Sequence, residues 1–223
     1  MGLRGEGSFA RTFSVYNQKR FMRKVQLQEE SLVYSESLDL YASLRRFDLR
    51  LVLAESCTAG LVAAELGGIP GVSSHFCGSL VVYRNDSKMR WLGIEPKLLE
   101  DPGIGPVSEQ VTIALAVSAL AHTPEAHLAG AITGHLGPLS PAHLDGTVYC
   151  AVASHDARSN AICKRFLLQA PSPTDIQDIE RRRLRQAEAA RHLIATLIEF
   201  IERENNDNAR NSKTSNTNPE KMP

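Results

Sequence analysis

Apolar positions along the chain switch between short unbroken runs and a spacing of three to four residues. Short apolar runs bounded by polar turns are typical of strands. They occur at five places: residues 49–54, 79–83, 128–133, 147–153 and 162–168. The wider spacing is typical of amphipathic helices. It predicts helices at 32–46, 59–66, around 89–92, at 108–121, and from about 174 to beyond 201.

Local signals define the helix ends and faces more closely. Ser108 followed by Glu109 is typical of a helix start, and Thr174 with Gln177 has the spacing of a capping box. In the first helix the buried face is expected to hold Tyr34, Leu38, Tyr41 and Leu44. In the last helix it is expected to hold Ala187, Ala190, Ile194, Leu197 and Ile201.

The order of these elements predicts an α/β protein. The earlier strands are separated by helices, whereas the polar connection at 154–160 is short enough for an antiparallel hairpin between the last two strands. We therefore expect a mixed, mostly parallel five-stranded sheet with helices on both faces.

The two ends of the chain differ from this core. Residues 1–28 carry six Lys or Arg against one acidic residue, Glu6, without clear periodicity. This composition fits a flexible arm, an Arg-rich targeting peptide or an over-long start of the reading frame. The last twenty residues are polar and predict disorder. The expected organisation is an arm at 1–30, one domain at 31–203 and a disordered tail at 204–223.

Charge and composition exclude several classes of protein. The 25 basic and 25 acidic side chains cancel, which gives no reason to expect a nucleic-acid partner. No apolar stretch approaches the roughly 20 residues that span a bilayer, so we expect a cytoplasmic protein without a membrane partner. The four cysteines lack any Cys-x-x-Cys pair and are expected to be buried free thiols.

The turn after the first strand is the most informative segment for function. Residues 55–60 follow a buried-looking strand directly and contain the hydroxyls of Ser56 and Thr58 before Gly60. Free N–H groups and the helix dipole make such a turn suitable for a phosphate or a developing oxyanion. The alternative is that Ser56 or Thr58 only caps the following helix.

Other small or polar loops are expected at the same edge of the sheet, where ligands of α/β proteins gather. They are residues 83–88, 105–108 and 133–138. Ser56 as nucleophile, Lys88 as a desolvated base and Tyr83 as a proton relay would form one activated arrangement. The alternatives are a strand-end aromatic for Tyr83, a solvated lysine for Lys88 and a helix cap for Asn85.

Several motifs in series resemble the CinA C-terminal domain family over about residues 32–202. They are Ala54 to Gly60 (Ala-Glu-Ser-Cys-Thr-Ala-Gly), Gly71 to Ser74, Tyr83-x-Asn85-x-x-Lys88, Leu92 to Ile94, Val107-Ser108, Thr133-Gly134-x-x-Gly137-Pro138, Gly146 to Tyr149 and Arg181-x-x-Leu184-Arg185. The resemblance implies a three-layer α/β/α sandwich.

The resemblance also implies an activity, which belongs to pyridine nucleotide salvage in NAD metabolism. Characterised members of the family are amidases that convert nicotinamide mononucleotide to nicotinic acid mononucleotide and ammonia. By this resemblance Ser56 is the nucleophile, Lys88 its base and Tyr83 the relay to the leaving ammonia. The implied substrate contacts are Cys57, Thr58, Gly60, Asn85, Ser108, Thr133, Gly134 and Gly137. The chemistry requires no cofactor.

Departures from the family pattern support a second hypothesis. The family usually has smaller residues than Leu136, glycines where residues 139–141 stand, and Lys-Pro-Val at 143–145. This segment would restrict the approach of a phosphate, so the alternative is an inactive relative that binds a nucleotide or a partner protein. Apolar residues on the outer helices are compatible with a homodimer or a higher homo-oligomer.

Histidines raise a separate question about metal binding. His135 and His143 are eight residues apart, and His75 lies near the second strand. No carboxylate or cysteine shares a ligand spacing with them, so we expect no metal site.

Overall fold

A five-stranded sheet forms the centre of the computed structural model. The structure describes residues 23, 24, 28, 33–155, 161–169 and 178–215, with side chains up to 206. The strands are β1 Leu51–Glu55, β2 Phe76–Val81, β3 Leu128–Gly134, β4 Thr147–Ser154 and β5 Ala161–Leu167. Their order in the sheet is β2-β1-β3-β4-β5. The first three run parallel, whereas β4 and β5 are antiparallel additions, so the predicted mixed sheet and its terminal hairpin are confirmed.

Helices cover both faces of this sheet and form the three-layer α/β/α sandwich. They are α1 at 33–46, α2 Leu61–Gly67, α3 Asn85–Leu92, α4 Pro96–Glu100, α5 Glu109–Ala121 and α6 Asp178–Ser215. One buried layer joins α1, α2 and α6 to the sheet, and the other joins α3, α4 and α5 to the opposite face. The alternation of side chains along each strand separates the two layers.

The buried face of α6 agrees with the spacing of its apolar residues. Ala187, Ala190, Ile194, Leu197 and Ile201 are all at most 5% exposed. Ser108 is the N-cap of α5, and its side chain accepts a hydrogen bond from the N–H of Val111. These predictions are confirmed.

Two predicted elements need correction. The second strand begins at Phe76, three residues earlier than expected, and ends at Val81, because its ladder with β1 runs only from Leu51 to Glu55. On α1 the exposed fractions of Tyr34 and Leu38 are 43% and 40%, so they do not lie on the buried face. Leu44 lies on that face as expected, together with Val33, Ser37 and Leu40, and Tyr41 packs against the core while partly buried. Both stripes have helical spacing, and tertiary packing decides between them.

Helix α6 continues to Ser215, so residues 204–215 are helical where composition predicts disorder. Adding a residue to an existing helix costs far less than starting one, which allows even a polar segment to extend it. Residues 216–223, the capping box at Thr174 and Gln177, and the expected arm at 1–30 apart from residues 23, 24 and 28 lie outside the described residues. In the part of the chain that is described, no helix is long and apolar enough to cross a membrane.

Candidate functional site

The loops after the three parallel strands meet at one edge of the sheet. Ser56 follows β1 directly, Tyr83 lies two residues beyond β2, and His135 follows β3. Backbone hydrogen bonds tie these segments together: Ser56 N–H donates to the Ile132 carbonyl at 3.2 Å, and Val82 N–H donates to the Glu55 carbonyl at 2.8 Å. The expected convergence of these loops is therefore present.

A buried carboxylate occupies the N-terminus of α2. Glu55 is fully buried and accepts hydrogen bonds from the N–H groups of Gly60, Val62 and Ala63 at 3.0 to 3.2 Å. The hydroxyl of Ser79 adds a fourth bond at 3.2 Å. The donors at this helix start are therefore already used by a side chain of the protein, so an anion on the turn has to use other N–H groups.

The hydroxyls of the turn do not cap α2 either. Gly60 is the N-cap residue, in a left-handed conformation with φ of 92°, and no side-chain cap is present. Thr58 is 1% exposed, and its Oγ1 lacks a hydrogen-bond partner among the described residues. In the same part of the structure, the N–H group of Thr58 donates to no oxygen, whereas the Cys57 N–H hydrogen-bonds its own thiol. The turn thus keeps the Thr58 N–H as a donor that its own fold does not use.

Helix α6 supports the same turn from outside. The side-chain amide of Gln186 donates to the carbonyls of Cys57 and Thr58, at 3.3 and 2.9 Å. Holding both carbonyls fixes the orientation of the adjoining peptide groups. Gln186 did not stand out in the sequence.

Lys88 is buried beside this turn. Its side chain is 3% exposed, and Nζ donates to the Tyr83 carbonyl at 3.4 Å. Burial lowers the pKa of Lys88 below its usual value, opposed by the nearby Cys57. The alternative of a solvated lysine is therefore wrong, and its ammonium loses a proton more readily than one in water.

Asn85 lies on the surface at the start of α3. Its side chain is exposed, and the N-cap residue is Arg84, so the alternative of Asn85 as a cap is wrong. Ser87 satisfies the helix start, since its Oγ accepts from the Arg84 N–H at 3.2 Å. No described contact connects Asn85 to the buried turn.

Tyr83 is half-exposed and contacts an arginine of α6 that the sequence analysis did not indicate. The phenol oxygen accepts a hydrogen bond from Arg182 Nη2 at 2.7 Å, and Nη1 of the same arginine donates to the Gly137 carbonyl at 2.6 Å. The motif Arg181-x-x-Leu184-Arg185 indicates Arg181 and Arg185 but not Arg182. Only the rotation of α6 reveals which arginine faces Tyr83.

The thiol of Cys57 is in the middle of these groups and remains protonated. Burial is the main cause that raises the pKa of Cys57 to about 12, while Arg182 and Lys88 act in the opposite direction. A thiol needs its thiolate form to act as a nucleophile. All four cysteines are free, although Cys77 and Cys163 are only half-buried.

Two expected substrate contacts are engaged inside the protein. The Ser108 hydroxyl donates to the Gly105 carbonyl at 3.0 Å in addition to capping α5. Thr133 is fully buried, and its Oγ1 is 2.7 Å from Oγ1 of Thr112. Both side chains are buried and have hydrogen-bond partners within the protein.

Close packing within the protein accounts for two glycines of this region. A Cβ added at Gly134 would lie 2.4 Å from Cγ1 of Val148 and 3.0 Å from Sγ of Cys57. Gly137 has φ of 66°, and a Cβ there would lie 2.9 Å from Oδ1 of Asp145. Close contacts within the protein explain both glycines without a ligand.

The segment that departs from the family pattern is anchored to α6. Asp145 accepts two hydrogen bonds from Arg185 Nη1, at 2.8 and 2.9 Å, and Arg181 pairs with Asp178 at 3.0 Å. Leu136 is 2% exposed and belongs to the core layer under α6. Its extra bulk is accommodated inside the protein.

The histidines do not form one cluster. His75 precedes β2 and contacts the Leu49 carbonyl at 3.0 Å, at the opposite edge of the sheet from His135. Burial lowers the pKa of His135, opposed by the nearby Asp145, while His143 acts in the same direction as burial. The described residues hold no group of three side chains suited to a metal ion.

Comparison with known proteins adds to this geometry. Residues 35–189 match the family described as CinA C-terminal domain. A "CinA-like protein" of Mycobacterium tuberculosis is 38% identical over 174 residues, which are 76% of this chain and 38% of that protein. A "CinA-like protein" of Geobacter metallireducens is 43% identical over 111 residues, 49% of this chain and 26% of the relative. The chain thus spans well under half the length of these relatives.

Solved structures share the fold. A CinA superfamily protein from Klebsiella pneumoniae 700603 aligns with a TM-score of 0.66 at 22% identity, covering 77% of this chain and 98% of the other. The competence/damage inducible protein CihA from Agrobacterium tumefaciens aligns with a TM-score of 0.61 at 29% identity, covering 73% and 94%. The three-layer sandwich is therefore shared with these proteins.

Proposed function

Because this chain belongs to the CinA C-terminal domain family, we propose that it is an amidase that converts nicotinamide mononucleotide to nicotinic acid mononucleotide and ammonia. The observation that carries the proposal is Lys88, buried to 3% exposure within electrostatic range of Cys57, the neighbour of Ser56. A lysine in that environment can act as a general base near neutral pH.

Ser56 begins the reaction as the nucleophile. Its hydroxyl oxygen attacks the carboxamide carbon while its proton passes to neutral Lys88. The carbonyl oxygen becomes an oxyanion in the tetrahedral intermediate. The backbone N–H groups of Cys57 and Thr58 are assigned as the donors for this oxyanion, and Gln186 holds the Cys57 carbonyl, which belongs to the same peptide group as the Thr58 N–H.

Tyr83 completes the first half of the reaction. Its phenol gives a proton to the leaving nitrogen as the C–N bond breaks, so that ammonia departs and an ester on Ser56 remains. The Lys88 ammonium then returns its proton to Tyr83. Water hydrolyses the ester with Lys88 again as base, which releases the carboxylic acid and restores Ser56.

Positive charge around the Gly137 turn fits an anionic substrate. A Cβ at Gly137 would lie 3.1 Å from Arg185 Nη1 and 3.7 Å from Arg181 Nη2. Arginines are well suited to phosphate, because they present several donors in one plane. We therefore propose that the phosphate of the mononucleotide lies near this turn.

A second candidate function is nucleotide binding without turnover. Asp145 lies in the segment that departs from the family pattern, and its carboxylate already occupies Arg185. That pairing reduces the charge available to a phosphate. The two candidates differ in one measurable respect, the release of ammonia.

The deciding experiment measures ammonia release from nicotinamide mononucleotide by the wild type, Ser56→Ala and Ser74→Ala. Ser74 is exposed and serves as the matched control. We expect turnover in the wild type and the control and none in Ser56→Ala. Full turnover by Ser56→Ala would refute the mechanism. Binding without ammonia release by the wild type would favour the second candidate. Nicotinamide riboside, which lacks the phosphate, tests the proposed anion contact.

A further inference from the structure

We infer that Arg182 is a positioning residue that orients the phenol of Tyr83 for proton donation, an inference that rests on the proposed amidase function. Arg182 occupies an unspecified position of the Arg181-x-x-Leu184-Arg185 motif, so the family resemblance assigns it no role. Its role is therefore argued only from its contacts.

Arg182 and Gln186 together connect all three loops of the site. They are four residues apart on α6, so their side chains project from the same face of the helix. Arg182 contacts Tyr83 after β2 and Gly137 after β3, while Gln186 contacts the turn after β1. This face of α6 therefore sets the relative positions of the loops.

The chemistry of the contact determines the direction of the phenol proton. A guanidinium only donates hydrogen bonds, so the Tyr83 oxygen must act as the acceptor in its 2.7 Å contact with Arg182. The phenol proton then has to point toward another acceptor. A leaving nitrogen bound between Tyr83 and Ser56 would be that acceptor, which makes Tyr83 a proton donor.

Exposure explains why the phenol needs such a partner. Tyr83 is 51% exposed, so surrounding side chains alone do not lock its ring. Arg182 is half-buried and held at its other nitrogen by the Gly137 carbonyl. A donor fixed at two points can limit the positions of an otherwise exposed phenol.

The test is a double-mutant cycle of Arg182→Met and Tyr83→Phe with ammonia release from nicotinamide mononucleotide as the readout. We expect Arg182→Met to lower kcat by roughly tenfold with KM changed less than about twofold, since misplacing a reacting group affects the transition state most. In the Tyr83→Phe background, Arg182→Met should lower kcat no further. Arg182→Lys should restore only part of the loss, because lysine lacks the planar pair of donors.

Arg183→Met is the matched control, since Arg183 is exposed on the same turn of α6. It should leave kcat and KM unchanged. Additive losses in the cycle would overturn the inference, and so would an increase in KM at constant kcat, which would make Arg182 a substrate-binding residue. A Tyr83→Phe enzyme with wild-type kcat would also overturn it.

A second readout separates this inference from the proposed function. Thermal unfolding midpoints of the same four proteins should be non-additive if the Arg182–Tyr83 contact forms in solution. A wild type that releases no ammonia would overturn the proposed function, and this role with it, whatever the midpoints show. An active wild type with additive midpoints and additive kcat losses would overturn the role of Arg182 alone.

Discussion

The hydroxyl of Ser79 on β2 donates to Oε1 of Glu55 on β1, at 3.2 Å. Glu55 is fully buried and bonds three backbone N–H groups at the start of α2. Its charge is thus balanced by donors and by the helix dipole without a cationic side chain among its hydrogen-bond partners. Glu55 fixes the turn that contains Ser56 from beneath.

We predict that Glu55→Gln destabilises the protein by about 2 kcal/mol, because the variant replaces a charged acceptor and directs an NH₂ group toward backbone donors. Denaturant unfolding measures the difference. Glu100→Gln is the matched control, since Glu100 is exposed, and it should change the free energy of unfolding by less than about 0.5 kcal/mol. Equal stability of both variants would show that Glu55 does not support the turn.

We predict that Gly134→Ala destabilises the protein by about 1–3 kcal/mol through overpacking. The new Cβ would lie 2.4 Å from Cγ1 of Val148, on the neighbouring strand. Gly67→Ala is the control, because a Cβ there meets nothing within 4 Å and alanine favours a helix. Urea unfolding should show a lower free energy of unfolding for Gly134→Ala and a higher one for Gly67→Ala. If Gly134→Ala leaves the free energy of unfolding unchanged, packing does not explain this glycine, and it is again a candidate ligand contact.

The positions of the loops were the predictable part of the site. The loops that contain Ser56 and Tyr83 meet because parallel strands end at a common edge, and that follows from the alternation of strands and helices. The same reasoning missed Glu55, since an acidic residue after an apolar run looks like the end of the strand. Its partners come from the following helix and from β2, and neither is visible in local periodicity.

Arg182 and the buried face of α1 were missed for a related reason. Arg182 belongs to an arginine run in which the pattern does not tell which member faces the loops. On α1, the stripe with Tyr34 and the stripe with Leu40 both have helical spacing. In each case the rotation of a helix about its axis decides, and tertiary packing sets that rotation.

We predict that Cys57 resists alkylation in the native protein. Its pKa of about 12 leaves little thiolate at pH 8, and the side chain is 3% exposed. Half-buried Cys77 should react first with iodoacetamide, as peptide mass mapping can show. Alkylation of Cys57 at the same rate as Cys77, with parallel loss of ammonia release, would instead identify Cys57 as a reactive group of the site.

The pKa of Lys88 predicts how the stability of the protein changes with pH. Its pKa in the folded protein lies below the ordinary value of 10.5 because of burial. Between these two pKa values the unfolded chain binds more protons than the folded one, so stability rises with pH. Above the ordinary pKa both forms are neutral and the penalty is absent.

We therefore predict that replacing Lys88 by methionine stabilises the protein more at pH 8 than at pH 10. At the lower pH, folding of the wild type has to release the lysine proton or bury its charge, and either costs free energy, whereas methionine has no charge. Urea unfolding of both proteins at the two pH values measures the difference. Lys97→Met is the control, because Lys97 is 78% exposed and should show no such change with pH. A stability difference that is equal at both pH values would mean that Lys88 titrates like a lysine in water. That result would remove the base from the proposed mechanism, since an ordinary ammonium keeps its proton near neutral pH.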